Sequence, residues 1–257
     1  MAENEPLVIY EVRDDVAYAT LNSPPLNIMT AAMMREVAAV AERAAGDATL
    51  KALVVRAKGK AFSAGADVGE HAPDKAGEMI GTFSAMFRQL FALDIPVVMA
   101  VNGAALGGGF ELVMAGDQVI ASKNAKFGQP EIRLGFFAPL GVAYLPELVG
   151  HRRAMELTCG GRVFDAHTME RWGFVSQVVE PEALDEAVEA FLADLRAASP
   201  LVLRLNVRTL KRTRGMGAEK GRVEAERVFL EELMKTEEVP EGIAAFYEKR
   251  PPVWKNR

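Results

Sequence analysis

The sequence is poor in the residues that build disulfides and metal sites. Its 257 residues include one cysteine, Cys159, and three histidines. A single cysteine cannot close an intrachain disulfide, and its apolar surroundings predict a small core residue rather than a nucleophile. His71, His151 and His167 lie far apart, without partners at metal-ligand spacing. We therefore expect no disulfide, no metal and no redox cofactor.

Long apolar runs and an excess of positive charge are also absent. The net charge is −5, which argues against a nucleic-acid partner, because phosphate binding depends on clustered cations. Apolar stretches such as Pro96–Ala105 are too short to span a membrane. The start, Met1–Glu5, is acidic and polar, unlike a secretory signal. These features predict a cytoplasmic protein that does not act at a membrane.

One local group of basic residues stands out from the acidic whole. Arg204, Arg208, Lys211 and Arg212 recur at helical spacing and would form a stripe along one helix face. We interpret the stripe as a solvated surface. A docking surface for a phosphate-bearing ligand, or for RNA, is the alternative.

Short β-rich runs alternate with helical periodicity over the first two thirds of the chain, which is typical of an α/β domain. Residues 8–21 predict a β-hairpin that turns at Arg13–Asp15. After Pro181 only helical patterns remain, so we predict a core over residues 1–195 and a helical region over 196–257 that caps the core or mediates assembly. The predicted strands are 53–56, 97–101, 118–121 and 175–179; the predicted helices are 30–45, 75–93, 182–197, 201–213, 218–235 and 240–249.

A glycine-rich segment, Asn102–Glu111, follows a predicted strand and leads into a helix. Glycines let the backbone approach a ligand closely, and the free N–H groups of a first helical turn can stabilise an oxyanion. A nucleotide-binding loop is disfavoured because no Gly-Lys-Ser/Thr follows the glycines. Close strand–helix packing is the simpler alternative reading of the same glycines.

Two glutamates are candidates for catalytic acid–base groups. Glu111 stands among apolar residues, and Glu131 follows Gly128 and Pro130, which predict a rigid bend. Two carboxylates that flank one water could divide the work of hydration, provided that their surroundings separate their pKa values. Taken alone, each glutamate would more often be structural, with Arg133 as a salt-bridge partner beside Glu131.

Three segments together resemble the signatures of the enoyl-CoA hydratase/isomerase (crotonase) superfamily. They are Ala61–Asp67, Asn102–Glu111 and Phe127–Glu131, in the family's order and spacing. The resemblance extends over essentially the whole chain. It implies a crotonase-type spiral core of repeated ββα units, an acyl-CoA substrate and a homotrimer or a hexamer built as a dimer of trimers.

The resemblance also assigns roles by position. The backbone amides of Ala66 and Gly108 match an oxyanion hole for the thioester carbonyl. Glu111 matches the carboxylate that helps to activate water, and Glu131 the one that passes a proton to the α-carbon. The coenzyme A contacts map onto Ala64, Ala66, Asp67 and Val68. Members with both glutamates are usually hydratases, which favours hydration over isomerisation, hydrolysis or decarboxylation; a protein that only binds coenzyme A esters is a further alternative.

Departures from the common pattern bear on the acyl group. Gly69 stands where a lysine is frequent, and residues 140–145 replace the usual Gly-Gly-Thr-Gln-Arg-Leu. Residues 68–74, 126–139 and both 231–234 and 254–257 resemble cyclohexa-1,5-diene-1-carbonyl-CoA hydratases of anaerobic benzoyl-CoA degradation. The resemblance implies hydration to 6-hydroxycyclohex-1-ene-1-carbonyl-CoA, with Phe136, Phe137 and Pro139 as a flat acyl pocket. A short-chain enoyl-CoA hydratase of fatty-acid or amino-acid catabolism is the alternative.

Overall fold

The chain begins with the expected hairpin. In the computed structural model, which describes residues 5–257, strands β1 (Val8–Arg13) and β2 (Val16–Leu21) pair antiparallel. Asp14 occupies the turn with φ +55°, a left-handed conformation that aspartate tolerates better than most residues. Residues 1–4, on which most of the expectation about a secretory signal rests, lie outside the described residues.

Two sheets share the remaining strands. The larger sheet has the order β1-β2-β3-β5-β7-β10, and it is parallel from β2 onward. The smaller sheet has the order β4-β6-β8-β9. The strands not yet located are β3 (Ala52–Ala57), β4 (Ala61–Ser63), β5 (Val97–Val101), β6 (Ala104–Leu106), β7 (Gln118–Ser122), β8 (Lys126–Gly128), β9 (Val163–Asp165) and β10 (Gln177–Val179).

Successive strand pairs alternate between the two sheets. The pairs β3–β4, β5–β6 and β7–β8 each give one strand to the larger sheet and one to the smaller, and helices separate the pairs. The predicted spiral of repeated ββα units is thereby confirmed. The short strands of the smaller sheet were not predicted, because three residues are too few to show an alternating pattern.

The helices lie close to their predicted positions. Thr30 ends the loop before α1, and its hydroxyl accepts a hydrogen bond from Met33 N, which is an N-cap. The helix predicted over 218–235 is shorter than expected and is followed by a separate 3-10 turn. The α-helices are α1 (Ala31–Ala45), α2 (Ala76–Ala92), α3 (Gly108–Met114), α4 (Pro139–Val149), α5 (His151–Gly160), α6 (Ala166–Arg171), α7 (Leu184–Ala197), α8 (Pro200–Thr213), α9 (Ala218–Glu231) and α10 (Glu238–Glu248); the 3-10 turns are Val68–His71, Pro130–Leu134, Pro181–Ala183 and Leu233–Lys235.

Apolar side chains cover both faces of the larger sheet. One face joins the main core, which includes α1, α2 and α3. The other face packs against α7, through Leu184, Val188 and Leu192. Burial on both faces accounts for the continuous apolar runs of the parallel strands. Helix α7 therefore belongs structurally with the sheet, whereas the boundary at 195/196 stays a prediction.

The helices after α7 bury much less. Helix α9 has one buried residue, Val228. Large apolar side chains are exposed on this region, notably Leu230, Phe246 and Tyr247. Among residues 5–257, no helix has the length and apolar character needed to cross a membrane.

The basic stripe on α8 is only partly a solvated face. The side chains of Arg208 and Arg212 are exposed as expected, whereas for Arg204 and Lys211, which are mostly buried, the interpretation was wrong. Arg204 forms an ion pair with Asp94 and donates to the carbonyl oxygen of Leu50 over 3.3 Å. Lys211 lies 3.0 Å from the Asp117 carboxylate and donates to the Leu93 carbonyl oxygen. These two cations hold α8 against the body of the protein. Their donors are therefore engaged by the protein itself rather than free for phosphate.

Cys159 also departs from expectation. It lies near the end of α5 and is exposed, so the prediction of a core residue was wrong. The buried face of α5 consists of Ala154 and Leu157. Position 159 falls off that face, because residues share a helix face at spacings of three or four.

Candidate active site

The first wall of the site is the loop after β4. Met29 N donates to Gly65 O, and Asp67 N donates to Met29 O. This parallel bridge uses the peptide groups on both sides of Ala66, so the N–H of Ala66 itself points to the opposite side. The loop then enters a 3-10 turn, where Asp67 Oδ1 accepts from Gly69 N at 2.7 Å.

The second wall is the turn into α3. Gly107 adopts φ +53°, which glycine accommodates without steric cost. Gly108 is the first residue of α3, so its N–H has no partner within the helix. A Cβ built on Gly108 would lie 3.2 Å from Ala66 N. The two amides predicted as an oxyanion hole are therefore neighbours.

Two other glycines of this segment permit close packing of strand and turn, which is the simpler alternative considered above. A Cβ on Gly109 would lie 2.5 Å from Ser63 O, and one on Gly103 would lie 2.1 Å from Lys60 O. At these two positions glycine permits the smaller sheet to pack closely against the turn. Close packing thus accounts for Gly103 and Gly109, and an oxyanion-binding role for the amide of Gly108 stays a prediction.

Glu111 is buried, with 3% of its surface exposed. Its Oε1 accepts hydrogen bonds from Leu140 N and Gly141 N, both at 2.9 Å. These amides belong to the first turn of α4, where the helix dipole also favours negative charge. Burial nevertheless dominates and raises the pKa of Glu111 to about 7; the nearby charge of Glu131 adds to the rise, while the two amides oppose it.

Glu131 lies in the 3-10 turn that Pro130 begins. The side-chain amide of Gln129, oriented to satisfy its hydrogen bonds, places its nitrogen 2.8 Å from Oε1 and 2.9 Å from Oε2 of Glu131. Burial raises the pKa of Glu131, and the charge of His71 counteracts part of the rise. Gln129 was not singled out from the sequence, since its type alone carries no sign of this contact.

A cavity that opens to solvent brings the predicted groups together. Glu111 and Glu131 line it along with Ala66 and Gly108. A Cβ at Gly107 would lie 2.7 Å from Glu131 Oε1, which places the second carboxylate directly at the start of α3. The apolar part of the wall comes from Val68, Met79, Ile80, Phe83, Pro130, Leu134, Phe136 and Pro139.

Of the three residues predicted for the acyl pocket, two lie in the cavity and one does not. Phe136 and Pro139 line the cavity, as expected. Phe137 does not, and 63% of its surface is exposed, so that assignment was wrong. The chain turns at Gly135, which has φ +84°, and successive side chains beyond the turn then diverge. The contribution of α2, through Met79 and Phe83, was missed, because its apolar face predicts ordinary core packing equally well.

Three of the four predicted coenzyme A contacts line the cavity. Ala64, Ala66 and Val68 line the cavity, whereas the side chain of Asp67 caps the adjacent 3-10 turn. Main-chain contacts to coenzyme A stay a prediction for all four residues. The ion pair suggested between Arg133 and Glu131 is not among the salt bridges of residues 5–257; Arg133 packs beside Gly161 instead.

The arrangement suits proton transfer next to a polarised carbonyl. A carboxyl whose pKa is near 7 can both accept and release a proton at neutral pH. A second carboxyl group on the same cavity can donate a proton while the first accepts one, or the reverse. No group of three or more His, Cys, Asp and Glu side chains in the described part of the chain could hold a metal ion.

Comparison with known proteins matches the chain to the enoyl-CoA hydratase/isomerase family over residues 11–257. A cyclohexa-1,5-dienecarbonyl-CoA hydratase of Thauera aromatica is 35% identical, over 99% of this chain and 98% of that protein. A probable enoyl-CoA hydratase of Rhizobium meliloti is 37% identical, with 97% and 98% covered. Among solved structures, an enoyl-CoA hydratase of Geobacillus kaustophilus is 32% identical, covers 98% of each chain and has a TM-score of 0.91. The protein thus belongs to the enoyl-CoA hydratase/isomerase family.

Proposed function

We propose that the protein is a hydro-lyase that hydrates the double bond of an α,β-unsaturated acyl-CoA. The observation that carries this proposal is that Glu111 and Glu131 line one cavity with the amides of Ala66 and Gly108. Amides placed in this way stabilise the enolate that forms when water adds beside a thioester. Relatives at 35% and 37% identity are named as hydratases.

The two carboxylates can complete a balanced cycle with one shared proton. Ionised Glu111 takes a proton from water as the oxygen bonds to the β-carbon, and protonated Glu131 gives its proton to carbon. The proton has then moved from one carboxyl to the other. Because the pKa of Glu111 is about 7, Glu111 releases that proton readily at neutral pH, which resets the pair.

For the substrate, we propose cyclohexa-1,5-diene-1-carbonyl-CoA and the product 6-hydroxycyclohex-1-ene-1-carbonyl-CoA. The cavity supports a flat ring, since Phe136 and Phe83 contribute aromatic surface to its wall. The Thauera aromatica relative carries that substrate in its name. Similarity alone does not choose between substrates, because a relative named only as an enoyl-CoA hydratase is as similar. A short-chain linear substrate is the alternative.

One experiment separates these substrates. The purified protein is incubated with the cyclic dienoyl-CoA and, in parallel, with crotonyl-CoA, and products are identified by mass spectrometry. We expect water to add to the cyclic thioester with the higher kcat/KM. Preference for crotonyl-CoA would establish the linear alternative. Turnover of both at undiminished rates after Glu111→Gln and Glu131→Gln would remove the hydratase mechanism itself.

We also propose a homotrimer or a dimer of trimers. Exposed Leu230, Phe246 and Tyr247 on the C-terminal helices support association, because a monomer rarely leaves several large apolar groups in water together. Light scattering coupled to gel filtration measures the mass. A monomer at micromolar concentration would contradict the proposal. The cytoplasmic location stays a prediction.

A further inference from the structure

The cavity contains a third ionisable side chain. Of the described residues that line it, only His71, Glu111 and Glu131 carry ionisable groups. The other lining residues are glycine, alanine, proline or larger apolar residues. A polar group in such a wall needs a partner or a use. The hydration cycle described above employs the two glutamates and leaves His71 without a role.

His71 is held in one orientation. It ends the 3-10 turn Val68–His71, and its Nδ1 lies 2.8 Å from the carbonyl oxygen of Asp67. A carbonyl can only accept, so Nδ1 carries the hydrogen and Nε2 is the free position of the ring. The side chain of Asp67 caps the same turn at Gly69 N. The Asp67 carbonyl therefore fixes the imidazole at Nδ1, and the Asp67 side chain stabilises the turn that carries it.

The surroundings place the ring at the acyl side of the cavity. His71 packs on Phe136, with ring centroids 5.1 Å apart. Burial raises the pKa of Glu131, and the charge of His71 opposes part of that rise. Glu70, a conceivable partner in sequence, is engaged elsewhere, because its carboxylate accepts from Ala31 N at 3.0 Å. His71 is thus directed to the cavity rather than to Glu70.

Hydration of a cyclic dienoyl thioester can place the proton on either of two carbons, whereas hydration of a simple enoyl thioester places it on the α-carbon. When water attacks the β-carbon, the electron pair spreads over the thioester oxygen, the α-carbon and the far end of the second double bond. Protonation at the far end leaves a double bond conjugated with the carbonyl, as in the 6-hydroxycyclohex-1-ene product. Protonation at the α-carbon leaves the remaining double bond unconjugated. The first outcome needs an acid farther from the oxyanion hole.

We propose that His71 is that acid, a third acid–base group that delivers the proton to the far carbon of the conjugated acyl system. The Nε2–H bond breaks as the C–H bond forms, and the imidazolium becomes neutral imidazole. The glutamate that took the proton of water returns one proton to solvent, and solvent returns one to His71. The sum is addition of one water. This inference rests on the proposed cyclic substrate.

The test compares His71→Gln with the wild type on two substrates. Glutamine retains hydrogen bonding but cannot donate a proton to carbon. We expect turnover of the cyclic dienoyl-CoA to fall by roughly a hundredfold, the scale of a positioned acid, while crotonyl-CoA turnover changes by less than about threefold. NMR of the residual product should show a larger share of the unconjugated alcohol. His151→Gln, at an exposed position on α5, is the matched control and should leave both rates unchanged.

The outcomes distinguish the inference from the proposed function. Wild-type protein that fails to hydrate the cyclic thioester overturns the proposed substrate and, with it, this role. Wild-type activity that His71→Gln leaves intact, or equal losses on both substrates, overturns the role of His71 alone. His71→Ala supplies a second variant, and added imidazole should restore its turnover of the cyclic substrate at least severalfold. An absence of rescue together with an unchanged product ratio would also count against the role.

Discussion

The two candidate catalytic carboxylates are supported in opposite ways. Glu111 projects from α3, in which every residue from Gly108 to Met114 is buried, and backbone amides of α4 fix one of its oxygens. Glu131 projects from a 3-10 turn without a buried residue, and one side chain, Gln129, spans both of its oxygens. Only proline removes a backbone N–H donor, whereas many substitutions remove a side-chain donor.

The comparison suggests a division of labour. A carboxylate locked by the scaffold holds its oxygen at a constant position, which suits activation of a water molecule. A carboxylate on an exposed turn can adjust as the acyl group enters and leaves. If this division holds, substitutions at Glu111, at Glu131 and at their supports should differ in their effects on kcat and on stability.

Loss of either carboxylate should abolish most of the activity. Glu111→Gln and Glu131→Gln each remove a proton acceptor or donor while keeping the shape. With crotonyl-CoA, on which Glu131 is the proton donor to carbon, kcat should fall by about a hundredfold or more, whereas thioester binding largely survives. Stopped-flow turnover and calorimetric binding measure the two quantities. Wild-type kcat in either variant would reassign that residue.

Ionisation of the buried Glu111 should also lower the free energy of unfolding, and by more than ionisation of Glu131 does. The folded state raises the pKa of Glu111 from 4.5 to about 7, so the folded protein binds more protons than the unfolded chain between these values. Stability of the wild type must therefore fall as pH rises through this window. The difference in the free energy of unfolding between Glu111→Gln and the wild type should therefore grow, in favour of the variant, by on the order of 2 kcal/mol from pH 5 to pH 8.

Thermal unfolding of both variants across that pH range measures the effect. Glu131→Gln is the comparison, because burial also raises its pKa but the charge of His71 opposes the rise. A gain in melting temperature that is independent of pH would show that packing, and not ionisation, explains the Glu111 result.

Removal of the side-chain support should damage Glu131 less than removal of Glu131 itself. Gln129→Leu leaves the carboxylate in place without its two hydrogen bonds, so we expect kcat to fall by about tenfold with KM little changed. Gln177→Leu, at an exposed strand position, is the matched control. Loss as great as that of Glu131→Gln would make Gln129 as essential as the carboxylate.

The smallest effect concerns the two adjacent phenylalanines. Phe136→Leu removes aromatic surface from the cavity and should raise KM for a cyclic acyl-CoA by about three- to tenfold. Phe137→Leu alters an exposed side chain and should leave KM within a factor of about two. Michaelis–Menten kinetics on both variants decide the point, and equal changes would mean that Phe137 reaches the substrate.

The sequence predicts the fold well where patterns are long. The hairpin, the strand Val97–Val101 and the helix ending at Ala45 are at or within a residue of their predicted bounds. Strands β4, β6, β8 and β9 have three residues each, too few for a periodic signal. These strands nevertheless form the sheet from which the catalytic loops emerge.

The sequence predicts those residues of the site that belong to the spaced motifs. The motifs named the glutamates and amides, which the fold then gathered at one cavity. Sequence could not distinguish Phe136 from Phe137, because the two adjacent phenylalanines carry the same apolar signal and only the fold directs one to the cavity and the other to solvent. Nor could it show that Arg204 and Lys211 tether α8, since their partners, Asp94 and Asp117, are about a hundred residues away in the chain.

The contact between Gly107 and Glu131 has a consequence for engineering. Any side chain at position 107 would meet the carboxylate at 2.7 Å and would need a backbone angle of +53°. A library that randomises the glycine segment to enlarge substrate scope would therefore lose its active clones at that codon. Diversity is better introduced at Met79 and Ile80 of α2, which line the same cavity and where hydrocarbon can be exchanged without disturbing the proton-transfer groups.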